Sequence, residues 1–202
     1  MPTPTLEGPR VRLEPLSLAH LPALEPVLLA PEVATTWRHF RDVLKTPADL
    51  RTWVENALKL EAAGTGMPWV TILKSENRVV GTTRFIDLDL QNRTVEIGNT
   101  WLTPAVHQTG VNPEAKLLQL THAFETLKLR RVALKTHHEN LQSQAAMRKL
   151  GAQYEGTFRN HMIMPDSSTR HSVWFSITEE DWPKIKLELE KRLTISQSKI
   201  QP

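Results

Sequence analysis

VEIGNTWLTPAVHQTGVNPEAK, residues 95–116, decides the fold. It begins as a strand pattern, Thr94–Leu102, and ends in a strongly helical run; between them stands a loop holding a glycine, an asparagine and a proline. The helix is expected from Pro113 to about Leu127, and a second strand pattern follows at Arg131–Thr136. Two strands joined through a helix imply a parallel pair with a right-handed crossover. In open sheets, ligands gather at the carboxyl ends of such strands, which is where residues 107–116 lie.

Asn112 reads as the helix cap, with Pro113 at the first helical position, where a missing amide costs nothing. Gly110 allows a positive φ or a close approach of backbone to ligand. Several amides would then converge at the positive end of the helix dipole and form a site for a phosphate or diphosphate. The same residues are also ordinary loop punctuation. The loop is not of the Walker type, since Lys116 lies inside the helix and no Gly-Lys-Ser/Thr string occurs.

Outward from this stretch, turn residues separate alternating helical and strand patterns, and no long repeat is present. Arg10–Pro15 alternates like a short strand, and Ser17 reads as the cap of a helix carrying Leu18, Leu21, Leu24 and Leu28. A second helix starts at Thr46-Pro47, buries Leu50, Trp53, Val54, Ala57 and Leu58, and stops at Gly64. Strand patterns at Trp69–Leu73, Val79–Leu88 and Thr94–Leu102, with polar turns between them, predict an antiparallel meander. After the crossover come a helix over 141–150 closed by Gly151, strands near Tyr154–Met164 and His171–Ile177, and a last helix after Thr178. The fold class is α+β: a mostly antiparallel central sheet with one parallel strand–helix–strand crossover, flanked by helices. Residues 1–193 are expected to form one domain and 194–202 a frayed tail.

Composition narrows the function. The 202 residues carry 25 Lys and Arg against 22 Asp and Glu, a positive excess too small to argue for nucleic acid. There is no cysteine, which removes disulfides, thiolate metal sites and thiol nucleophiles. With no long apolar span and no leader pattern, the expectation is a cytoplasmic protein without a membrane partner. His137-His138-Glu139 lacks the spacing of a helical zinc motif, and its strand neighbours should face opposite ways, so no metal is expected.

Over nearly its whole length, from Leu6-Glu-Gly8 to Trp182, the chain resembles the GNAT acyl-CoA-dependent N-acetyltransferases, in particular the ribosomal-protein N-terminal acetyltransferase branch. The pieces that carry the likeness are VGTTRF, the opening stretch, LKTHHENLQSQAAMRKLGA and YEGTFRNHMIMPDSSTRHSVWFSI. The superfamily loop, Gln/Arg-x-x-Gly-x-Gly/Ala, is represented by His107, Gly110 and Asn112, so two of its three marked positions depart from the pattern.

The resemblance implies acetyl-CoA as acetyl donor, a primary amine as acceptor (a small molecule or a protein N-terminus), and direct attack in a ternary complex. The diphosphate would rest on Gln108, Thr109, Gly110, Val111 and Asn112, and the pantetheine would pair with the end of strand 94–102 near Leu102. Asn140 and Ser143 match the family's Asn-x-x-Ser beside the pantetheine or its sulfur, although an N-cap at Asn140 would explain both residues without a ligand. Glu96 is the candidate base through one water, against the plain reading of a solvent-facing strand residue. Met147 stands where many relatives have an acidic tyrosine, which leaves Ser143 to supply the thiolate's proton or a hydrogen bond. Trp37, His39 and Phe40 fall where the family places its substrate loop, and His161 lies on the strand where some relatives carry an acidic residue. A non-catalytic acyl-CoA-binding module and a nucleotide-binding domain are the alternatives. The last helix, with Ile185, Leu189 and Leu193, has an apolar face for its own domain or for a second copy in a homodimer.

Overall fold

The computed structural model describes residues 1–31, 33 and 38–198, with side chains as far as Thr194. Among the described residues, eight strands build one sheet in the order β1 (Leu6–Glu7), β2 (Val11–Pro15), β3 (Met67–Leu73), β4 (Arg78–Asp89), β5 (Thr94–Leu102), β6 (Arg131–His137), β8 (Thr169–Thr178) and β7 (Gln153–Ile163). Neighbours run antiparallel except β5 and β6. The helices are α1 (Leu21–Leu28), α2 (Pro47–Ala62), α3 (Val111–Thr121), α4 (Leu141–Leu150) and α5 (Trp182–Ser198).

Local chemistry explains the boundaries. Thr46 Oγ1 accepts the Asp49 amide at 3.1 Å while Asp49 Oδ2 accepts the Thr46 amide at 2.9 Å, a reciprocal cap that starts α2 with Pro47 inside it. Asp89 Oδ1 takes the Asn92 amide at 2.8 Å and turns β4 into β5. Gly151, at φ 100°, ends α4 in a left-handed conformation.

Alternation along the strands feeds two cores. Met67 and Trp69 of β3 join Val95, Ile97, Val132 and Phe175 under Ala115, Leu120 and Leu189; Val70 and Ile72 join Leu24, Leu28, Leu50, Trp53 and Val54 of α1 and α2. Helices therefore cover both faces of the sheet. Ile185 and Leu189 of α5 pack into the chain's own core, which settles which surface that helix covers.

Three local expectations change. The helix opened by Ser17 begins as a single 3-10 turn, Leu18–His20, and Leu18 is 40 % exposed. Beyond Thr121 the crossover helix widens into a π turn, His122–Thr126, closed by Leu127 N→His122 O at 2.9 Å. Helix α3 is capped by Gly110, not Asn112, and Pro113 is its third residue. The Asn-Pro pair misleads because the first four helical amides have no intrahelical acceptor anyway, so proline is harmless at the third position as well as the first. Of the tail expected to fray from Thr194, residues 194–198 continue α5 as helix, and 199–202 lie outside the described residues.

Candidate active site

The parallel pairing of β5 with β6 covers only Thr94↔Arg131, Val95↔Val132 and Glu96↔Ala133. Past Glu96 the two strands separate, and a slot opens between Ile97–Leu102 and Leu134–His137. A bulge on β5 accompanies the separation. Gly98 faces Arg84 and Trp101 faces Thr82, so Asn99 and Thr100 share one partner position, and Asn99 adopts φ 47°.

The loop of residues 107–112 stands beside the open end of this slot. Gln108 (φ 63°) and Gly110 (φ 92°) are both left-handed, which turns successive amides toward one side. The first bond of α3 is Glu114 N→Gly110 O at 3.0 Å, so the amides before it are left to an outside acceptor. Arg10 braces the loop through Nη1→Thr109 O at 3.3 Å, and a Cβ at Gly110 would stand 2.4 Å from that same Nη1. Buried Glu114 ties α3 to the start of β2 by accepting the Arg10 and Val11 amides at 2.8 and 2.9 Å. His107 Nε2 lies 3.0 Å from the Leu102 carbonyl, so that oxygen already has a partner.

Glu96 is 5 % exposed, contrary to the plain reading of a solvent-facing strand residue. Its Oε2 accepts Lys135 Nζ at 2.5 Å. Burial raises its carboxyl above the ordinary range, and Lys135 opposes that rise. Lys135 also lies 4.9 Å from the Trp174 ring.

Two of the expected acceptor residues, His39 and His161, are linked through Arg170. Its Nη1 donates to the His39 carbonyl at 3.2 Å and its Nε to Ser172 Oγ at 2.9 Å, and Ser172 Oγ is 2.8 Å from His161 Nδ1. Phe40 is half-buried against the α1–α2 core, and Trp37 lies outside the described residues. His137 and His138 do not face opposite ways, because β6 stops at His137 and the two rings stack at 4.5 Å. Burial first, and then nearby positive charges, lower His39, His137 and His161 below the ordinary imidazole value, which favours their neutral forms. Among the described residues, no His, Cys, Asp and Glu group is arranged to hold a metal ion.

At the far side of the slot, Asn140 caps α4 by accepting the Ser143 amide at 3.0 Å. Ser143 is half-buried, and Met147, one turn later, packs against the core and offers no proton. The sequence reading missed Arg10, Lys135 and Arg170. Each gains its meaning from a partner at least 39 positions away, so no local pattern marks it.

Comparison with known proteins agrees with this geometry. The acetyltransferase (GNAT) domain profile matches residues 10–153. The chain belongs to the GNAT family, the acetyl-CoA-dependent N-acyltransferases. A GCN5-related N-acetyltransferase from Brucella melitensis superposes with a TM-score of 0.89 at 27 % identity, over 96 % of this chain and 86 % of that one. A structure described as an acetyltransferase from T. thermophilus is 35 % identical with a TM-score of 0.83, over 96 % and 98 %. A Bacillus subtilis (strain 168) protein named as a ribosomal N-acetyltransferase, YdaF, is 31 % identical over 97 residues, which span 48 % of this chain and about half, 51 %, of that relative. Among the described residues, no helix is long and apolar enough to cross a membrane.

Proposed function

We propose that the protein transfers an acetyl group from acetyl-CoA to a primary amine by direct attack in a ternary complex. The observation that carries this is the slot: two parallel strands part after Glu96 and Ala133 beside a left-handed loop whose amides lead into α3. Residues 108–112 fit a diphosphate through main-chain donors at the helix N-terminus. The unpaired edge of β5 fits an extended pantetheine arm, and an amide late in that strand holds the oxyanion.

Glu96, through one water, takes the proton that the ammonium must lose before it attacks the thioester carbon. As the carbon–sulfur bond breaks, Ser143 gives the thiolate a hydrogen bond or a proton. His39, Phe40 and His161 line the acceptor side, with Arg170 holding His39 and His161 in register. A protein amine is the favoured acceptor, in keeping with the words ribosomal N-acetyltransferase in the name borne by YdaF. Thiol release from acetyl-CoA, followed with peptides bearing free N-termini, polyamines and amino sugars, tests the reading. Release that depends on an amine supports it.

A second reading, an acyl-CoA-binding module, draws on two observations: Glu96 is already paired with Lys135, and Met147 offers no acid. Coenzyme A binding without release on any amine would favour it.

Two smaller effects are expected from these contacts. Lys135 opposes the rise that burial imposes on Glu96, so Lys135→Met lifts that carboxyl further. A base must be ionised to work, so the acid limb of kcat/KM moves to higher pH. An unmoved limb removes Glu96 from the base's role. Asn140→Ala loses the α4 cap, at a cost of about 1 kcal/mol in chemical denaturation. A rise in the KM for acetyl-CoA beyond that loss would add contact with the pantetheine, and an unchanged KM would leave Asn140 as a cap alone.

A further inference from the structure

Acetyl transfer as described leaves the buried cation Lys116 without a task. Lys116, on the second turn of α3, is 6 % exposed, and among the described residues it has no ion pair with a carboxylate. Its Nζ donates to Thr100 Oγ1 at 2.8 Å, Gln119 Oε1 at 2.9 Å and Thr83 Oγ1 at 3.2 Å. Thr83 and Thr100 are themselves 2.8 Å apart, and Thr83 also reaches Gln119 Oε1 at 3.1 Å. These four side chains form a closed polar cell between α3 and the β4–β5 pair. Burial without a counter-charge lowers the lysine to about 7. A methionine of similar length would avoid that desolvation, so the cell is costly for anything it does to stability alone.

Position gives the cell a use. Thr100 is a bulge residue of β5, next to Asn99 with its positive φ, on the stretch of β5 that follows its last pairing with β6 at Glu96. Lys116 lies six residues after Gly110 on the helix whose first turn presents the loop amides. One side chain thus joins the diphosphate end of the proposed site to the strand edge that would receive the thioester arm.

We propose that Lys116 is a positioning residue that braces the Asn99–Thr100 bulge against α3 and thereby sets where the thioester carbonyl sits in the slot. The proposal rests on the reading of the slot as the acetyl-CoA site. The lysine touches neither substrate, and its effect passes through Thr100.

The test compares wild type with Lys116→Met and Thr100→Val, which remove the brace from opposite ends. In each variant coenzyme A should still bind one per chain by calorimetry, with Kd within about threefold of wild type, because the loop amides are untouched. The kcat should fall about tenfold or more, and the double variant should lose no more than the worse single one, because both changes cut the same link. Lowered thermal stability with kcat per bound site unchanged would overturn the proposal and leave the cell a structural one. Should Lys116→Met fail to fold, Thr100→Val carries the test, since it keeps the lysine's bonds to Thr83 and Gln119.

Failure of the underlying reading is distinguishable. If wild type neither binds coenzyme A nor releases thiol, the slot assignment falls on its own evidence. The brace is then judged by the backbone amide resonances of Asn99 and Trp101 in Thr100→Val and Lys116→Met. Shifts common to both variants support it, and resonances that stay at their wild-type positions in Lys116→Met overturn it.

Discussion

Gly110→Val should abolish coenzyme A binding at micromolar concentrations while leaving the protein folded. Gly110 sits at φ 92°, where a β-branched residue is strained, and a Cβ there would stand 2.4 Å from Arg10 Nη1. Either the loop turns to an ordinary φ and its amides swing away from one another, or Arg10 is pushed off the Thr109 carbonyl. Both outcomes disperse the donors that a diphosphate needs. The expected effect is a Kd raised about a hundredfold or more by calorimetry, from the loss of several charge-assisted bonds. The thermal midpoint should fall only modestly, because Gly110 itself lies outside the two cores and residues 107–109 before it are exposed. Affinity within threefold of wild type would mean that the loop does not grip the cofactor.

The second large effect is expected at Glu96. Glu96→Gln keeps the shape of the side chain and removes the proton acceptor, so turnover should fall by about two orders of magnitude or more. Coenzyme A affinity should stay close to wild type, because the proposed diphosphate donors at residues 108–112 are untouched. Lys135 then loses its carboxylate partner at 2.5 Å, so the variant should also unfold at a lower denaturant concentration. The signature is therefore a kcat loss at constant Kd, together with a stability loss that Lys135→Met would share. Wild-type turnover in Glu96→Gln would place the base elsewhere.

Much of the fold was legible because it is written in local chemistry. The alternation of Thr94–Leu102, the Thr46-Pro47 cap and the glycine that closes 141–150 all act within a few residues, and the strand, the cap and the helix stand where the sequence put them. The parallel crossover followed from the order strand, helix, strand. The start of α3 was misjudged because one left-handed glycine begins the helix before the more conspicuous Asn-Pro pair.

The site was less legible for a different reason. Glu96 could be named, but the charges that oppose the effect of its burial come from Lys135 on β6 and Arg170 on β8, which only the sheet order brings near. Lys116 looked like an ordinary helical lysine in the sequence. Its hydrogen-bond partners include two threonines on β4 and β5, and no periodicity within α3 announces them. His39 and His161 lie on segments 122 positions apart and are joined only through Arg170 and Ser172.

The central claim is that main-chain NH groups at residues 108–112 hold the diphosphate of acetyl-CoA. A titration of the isotopically labelled protein with coenzyme A, followed by amide NMR, tests it most directly. The amides of Thr109, Gly110, Val111 and Asn112 should move first and furthest, saturating together at one equivalent, while those of β7 stay in place. Saturable binding that leaves these four amides unmoved would contradict the claim.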